Sequence, residues 1–197
     1  ACEYGHLEGN DRCVLQLIKA GANLNFAKSN GFTALMLACE NGHDPCALQL
    51  IEAGAGVNHA ATNGVTALIQ ACQIGHDRVA LQLIEVGANL DKQTDHGSTA
   101  LMIACQRGHD PCALQLIEAG AEVNKEDNAG VTALMHACNS GHDPCALQLI
   151  KAGADTDQVE NKGWTAMMFA CQNGHDPCVL QLIEAEANVN IAKADGF

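Results

Sequence analysis

Histidine, aspartate and cysteine recur in this chain at short, fixed spacing. His43-Asp44-Pro45-Cys46 has Cys39 four residues ahead of the histidine, and near-copies of the set follow along the sequence. Imidazole and thiolate are the donors zinc takes. The pattern nevertheless argues against a metal site. No Cys-x-x-Cys pair exists, and most cysteines fall in two sequence columns that read as packing positions. Cys2, Cys39, Cys72, Cys105, Cys138 and Cys171 form one; Cys13, Cys46, Cys112, Cys145 and Cys178 form the other, where Val79 replaces cysteine in one copy. A column that accepts valine wants a small hydrophobe, and a buried reduced cysteine behaves as one. Catalysis is no better supported. The chain has no nucleophile elbow, no phosphate loop and no His-Glu-x-x-His. Every His-Asp pair sits in a repeated turn, and a catalytic site is seldom copied five times. No catalytic residue, metal or cofactor is assigned.

The elements that carry these residues are set by a period. The turn glycines Gly31, Gly64, Gly97, Gly130 and Gly163 are each 33 residues apart, as are the Gly-His pairs from Gly42-His43 to Gly174-His175. A Leu-Gln-Leu-Ile block begins at Leu15, Leu48, Leu81, Leu114, Leu147 and Leu180. Such a period means a stacked array. Within a unit, Thr33 is the expected N-cap of a first helix, and Leu35, Ala38 and Cys39 share one face of it. Gly42 ends that helix in the left-handed conformation. Asp44 is expected to cap a second helix with Pro45 at its first position. Cys46, Ala47, Leu48, Leu50 and Ile51 are expected as its apolar set, and it stops at Gly54. Neither helix exceeds about three turns, too short to be stable alone, so stacking must bury their faces.

The chain resembles the ankyrin repeat over essentially its whole length. Gly31-Phe32-Thr33-Ala34-Leu35-Met36-Leu37-Ala38-Cys39-Glu40-Asn41-Gly42-His43 stands where that family has G-x-T-P-L-H-x-A-A-x-x-G-H, and Gly54-Ala55-Gly56-Val57-Asn58 stands for G-A-x-V-N. Ala34 and Met36 depart from the family's Pro and His. Ile69, Met102, Met135 and Met168 hold the His position later, so the first helix relies more on apolar contact. The resemblance implies an all-α solenoid of helix-turn-helix units joined by hairpin-like finger loops. We expect one domain over 1–197: a partial repeat 1–30, full repeats 31–63, 64–96, 97–129, 130–162 and 163–195, and a stub at 196–197. Both ends lack polar caps, and we read the chain as part of a longer protein. Leu7-Glu8-Gly9-Asn10 is extra relative to later copies and is expected to lengthen a turn. Glu186 replaces the glycine that closes the other second helices, so its helix is expected to end less well.

Composition limits the partners. A formal net charge of −13 disfavours nucleic acid and anionic membranes, and favours a protein with a basic surface. No apolar run reaches the roughly 18 residues of a membrane span, and no small-molecule substrate is indicated. Cysteines in packing columns point to a reducing, intracellular setting.

The copies differ in the fingers and at the ends of the first helices, while the second helices barely vary. In ankyrin repeats the fingers and first helices form the concave face that grips protein partners. The resemblance therefore implies contacts at Ser29, Asn30, Phe32, Asn41, Thr62, Asn63, Val65, Ile74, Asp95, His96, Ser98, Arg107, Asn128, Val131, His136, Ser140, Lys162, Trp164, Phe169 and Asn173. Trp164 suits an interface anchor, or a ring covering the next repeat; Phe32 poses the same choice. Asn25, Asn58, Asn124 and Asn190 stand where the family offers asparagines to a hydroxylase, and also suit a turn. The function expected is a non-catalytic interaction scaffold. The alternatives are the recognition region of a larger enzyme, or a subunit docked permanently in an assembly.

Overall fold

The structure, a computed structural model, describes residues 7–191. Eleven helices fall among them. The first, α1 (Leu7–Lys19), is followed by five pairs: α2 (Ala34–Glu40) and α3 (Asp44–Glu52), α4 (Ala67–Ile74) and α5 (Asp77–Glu85), α6 (Ala100–Arg107) and α7 (Asp110–Glu118), α8 (Ala133–Ser140) and α9 (Asp143–Lys151), α10 (Ala166–Asn173) and α11 (Asp176–Glu184). First helices stack on first helices and second helices on second helices, giving two layers.

The local causes are those the sequence carries. Thr33, Thr66, Thr99, Thr132 and Thr165 each sit extended at the N-cap and accept the backbone N–H three residues on. Loss of one such cap costs about 1 kcal/mol. In place of the family's histidine, Met102 turns its sulfur back to accept the Thr99 N–H at 3.4 Å. Leu35, Met36, Ala38 and Cys39 are buried, as are Cys46, Ala47 and Leu50 on the facing helix.

Four expectations change. His43, His76, His109, His142 and His175 take the N-cap positions of the second helices without side-chain cap bonds, and aspartate is the first helical residue. Pro45 therefore sits one place further in, still within the turn whose amides need no partner. The four extra residues from Leu7 do not lengthen a turn: they are helical and open α1, because four residues make about one more helical turn. Glu186 adopts φ 61° and makes the same closing bonds as the glycines, Glu186 N–H to Ile183 O and Ala187 N–H to Leu182 O, both 3.0 Å. The termination is preserved in a conformation that strains a residue with a Cβ. Finally, Leu48 is only half-buried, and its counterparts Leu81, Leu114, Leu147 and Leu180 are 36–60% exposed. Residues two apart point to different sides of a helix; with Leu50 in the core, Leu48 must lie outside.

Two ladders join the repeats. Each finger is a tight turn closed by a backbone pair, such as Thr94 N–H to Ser98 O and Gly97 N–H to Thr94 O. Each finger then donates one backbone N–H to the previous one: Thr62 to Asn30, Asp95 to Asn63, Asn128 to His96 and Asn161 to Ala129, at 3.0–3.1 Å. At the opposite end, Asn25, Asn58, Asp91, Asn124 and Asp157 each accept a backbone N–H from the following repeat at 2.7–2.9 Å. Asn58 and Asn124 also donate their amides to Gly87 O and Gly153 O. These asparagines clasp neighbours rather than shape only their own turns; Asn190 makes the local bond, accepted by Asn188.

Candidate functional site

The fingers and first helices line a shared groove. One depression in it, of about 330 Å³, lies between the repeats beginning at Gly64 and Gly97. Asn63 and Asp95-His96 wall it from the fingers, Val65 and Ser98 from the residues after the turn glycines, and Arg107 from the end of α6. Ile69, Gln73, Ile103 and Gln106 complete it. A second depression of about 160 Å³ follows one step on, lined by Gln106, Val131, Met135, His136, Asn139 and Phe169. Gln106 belongs to both.

The fingers hold their tips by side-chain acceptors. Asp127 Oδ1 takes the N–H groups of Ala129 and Val131 at 2.8 and 2.9 Å. Glu160, buried, does the same for Lys162 and Trp164 at 2.9 and 3.1 Å. The other Asp127 oxygen lies 3.5 Å from His136 Nε2. Burial pushes the His136 pKa below its usual range, although Asp127 pulls the other way, so this ring is neutral at neutral pH. Trp164 stacks on Phe169, with ring centroids 5.3 Å apart and planes 27° from parallel. The pair forms an aromatic shelf at the far end of the groove.

The expected contacts divide. Asn63, Val65, Asp95, His96, Ser98 and Arg107 come together in one depression, and Val131, His136 and Phe169 in the next. Phe32 is 9% exposed and packs in the core, which takes away its availability as a free anchor. Ser29, Asn30, Thr62, Asn128 and Lys162 are exposed on fingers, and Asn41 and Ile74 at first-helix ends; Ser140 is half-covered. Asn173 spans repeats, its amide 3.1 Å from Asn139 O and Oδ1. Gln73, Gln106 and Asn139, each one residue before a selected position, are the ones lining the depressions. Their signal was helical spacing: Gln73 lies four residues after groove-lining Ile69, and Gln106 three after Ile103.

The two depressions are amide-rich and apolar, and the exposed charges lining them, Asp95 and Arg107, are opposite in sign. Such a surface offers hydrogen bonds and small apolar sockets. Among the described residues, no group of three or more His, Cys, Asp or Glu is placed to hold a metal ion. No helix among them is long and apolar enough to cross a membrane.

The cysteines of the two columns meet across repeat boundaries. The thiol of Cys72 lies against that of Cys112, Cys105 against Cys145, and Cys138 against Cys178. Cys145 also lies 2.9 Å from Asp110 Oδ1. These six, with Cys39 and Cys46, are buried and in no disulfide; Cys13 and Cys171 are exposed.

Comparison with known proteins follows the same lines. The family model described as ankyrin repeats matches residues 1–61, 49–127 and 101–193. The crystal structure of the human ASB11 ankyrin repeat domain superposes with a TM-score of 0.86 at 28% identity, over 97% of this chain and 86% of that one. No curated protein sequence matches the chain.

Proposed function

Because the chain belongs to the ankyrin-repeat family, whose members are generally protein–protein interaction modules, we propose that it is a non-catalytic scaffold gripping a protein partner through its fingers and first helices. The observation that carries this reading is the pair of adjoining depressions from Asn63 to Phe169, joined at Gln106 and lined by side chains that vary from repeat to repeat. Sequence variation sits where a partner would touch, on fingers that backbone bonds to the previous finger hold in register. The Trp164–Phe169 shelf supplies a large, stiff apolar contact with little rotamer entropy to lose. A net charge of −13 favours a partner with a basic surface over nucleic acid. Buried thiols outside any disulfide suit a reducing compartment.

Lysine crosslinking with mass spectrometry in native source material tests the reading. Lys28, Lys92, Lys125 and Lys162 lie in finger segments, and Lys19 and Lys151 at second-helix ends; Lys193 lies outside the described residues. Crosslinks from several finger lysines to one other protein are expected. With that partner in hand, Trp164→Ala should weaken binding roughly 10- to 100-fold. If the finger lysines link only within the chain, the reading falls, whatever Lys19 and Lys151 reach.

A further inference from the structure

The outer face is unlike the groove. Each second helix presents a leucine at the middle of its solvent side: Leu81, Leu114, Leu147 and Leu180, with Leu15 at one end and a more covered Leu48. Three residues before stands an exposed Pro45, Pro111, Pro144 or Pro177, with Arg78 in the remaining full repeat. Four residues after stands an exposed Glu52, Glu85, Glu118 or Glu184, with Lys19 and Lys151 as the exceptions. Positions three and four apart share a helix face, so these residues form three rows along the stack: proline, leucine, glutamate. Scattered exposed leucines are ordinary, but an aligned series makes an apolar band, and such bands mark contact surfaces.

We propose that this outer band is a docking surface for a basic amphipathic α-helix lying along the stack. Three features select that occupant. The leucines recur once per repeat, at the helix-packing spacing of about 9–10 Å. A helix advances about 10.5 Å per heptad, so one apolar residue per heptad keeps step with them. The band from proline to glutamate covers seven helical steps, about 10 Å, close to the width of one helix with its side chains. Charge adds to this: Glu52, Glu85 and Glu118 stand in three successive repeats of the glutamate row and would pair with lysines or arginines flanking the incoming apolar stripe. A second copy of this chain would bring its own −13 against the same row, and repulsion disfavours it. The surface is separate from the groove, so both faces can be occupied at once.

The probe is a synthetic helical peptide of about four heptads, with leucine at the first and fourth heptad positions and lysine flanking them. Its control has the same composition in shuffled order. Fluorescence polarisation against the whole chain at about 0.15 M salt should show the heptad peptide binding at least about tenfold more tightly, or about 1.4 kcal/mol. L81S/L114S/L147S should erase that preference while leaving circular dichroism and the urea midpoint little changed, since the side chains are exposed. E85Q/E118Q should keep the preference and weaken both peptides. Equal binding of the two peptides, or full preference in the leucine variant, would overturn the proposal. Should the triple variant unfold, a photoreactive heptad peptide decides on the native chain. Its crosslinks must fall on α5, α7 and α9, and crosslinks to first helices or fingers defeat the idea. That result would leave the groove reading untouched.

Discussion

Gly97→Ala is expected to destabilise the array more than any other single methyl addition at an equivalent glycine. Gly97 has φ 83°, and a Cβ there would meet Asn128 N at 2.5 Å and Asp127 C at 2.9 Å. Those atoms are backbone of the next finger and cannot rotate away. The left-handed conformation alone costs an alanine roughly 1–2 kcal/mol. The clash also pries apart Asn128 N–H and His96 O, bonded at 3.1 Å, and strains the Asn128 amide bond to Asp95 O at 2.8 Å. Together the loss should reach roughly 3–5 kcal/mol, within the range reserved for forced backbone displacement. Gly120 is the built-in control, with φ 89° and nothing within 4 Å of its Cβ position; Gly120→Ala should lose only the conformational part. Urea unfolding followed by circular dichroism measures both. Because a solenoid's stability is a sum of units and interfaces, the Gly97 variant should also split into two transitions, one for each side of the damaged boundary. Equal midpoints for the two variants would show that the fingers are not held in this close register.

Thiol reactivity should separate into two classes by about three orders of magnitude. Cys13 and Cys171 are exposed and should react at once with a disulfide reagent at pH 8. Cys39 is buried, and burial, helped by the nearby Asp44 carboxylate, pushes its pKa from 9.0 up to about 12. Only the thiolate attacks, so three pH units mean about a thousandfold less of the reactive form. The neighbouring sulfur, and burial after it, likewise push up Cys72, Cys138 and Cys145. Labelling read residue by residue by mass spectrometry should find Cys39, Cys72, Cys138 and Cys145 silent until urea opens the stack. The linkage runs one way. The folded chain keeps a proton that the unfolded chain gives up near pH 9, so this stabilisation is complete below pH 9 and fades as pH rises toward 12. Rapid native labelling of Cys39 would contradict the packing.

Much of this architecture could be read from the residues. Gly31 through Gly163 gave the period, Thr33 and its equivalents the first-helix starts, and the two cysteine columns the core, except at Cys13 and Cys171 in the end repeats, which are exposed. Where expectation and structure part, the cause is local. A four-residue insert such as Leu7–Asn10 is the right length either for a longer turn or for one more turn of helix, and spacing cannot choose. His43 rather than Asp44 at the cap is a one-residue boundary shift. Leu48 was grouped with the core because Leu-Gln-Leu-Ile is a mostly apolar block; the helical period divides that block between two sides. The groove residues fared similarly. The variable pairs at the first-helix ends were visible, but which member turns inward depends on where the helix lies. The clasp made by Asn25 and its equivalents joins residues 31 apart, and only the fold brings them together.

The finger ladder also sets how the molecule would answer a pull. Each boundary carries a single finger-to-finger backbone bond beside the helix contacts and the asparagine or aspartate clasp, and every boundary is built alike. A load applied across the two ends passes through these boundaries in series, so no shared core resists it as a whole. Repeats should therefore release one at a time from the weaker end, each paying out 33 residues, or about 110 Å of extended chain. In an optical trap this appears as a staircase with steps of nearly equal length, whereas one large step would mean the boundaries fail together. A chain built this way yields gradually and can re-stack on the repeats still in place, which suits a tether as well as a grip.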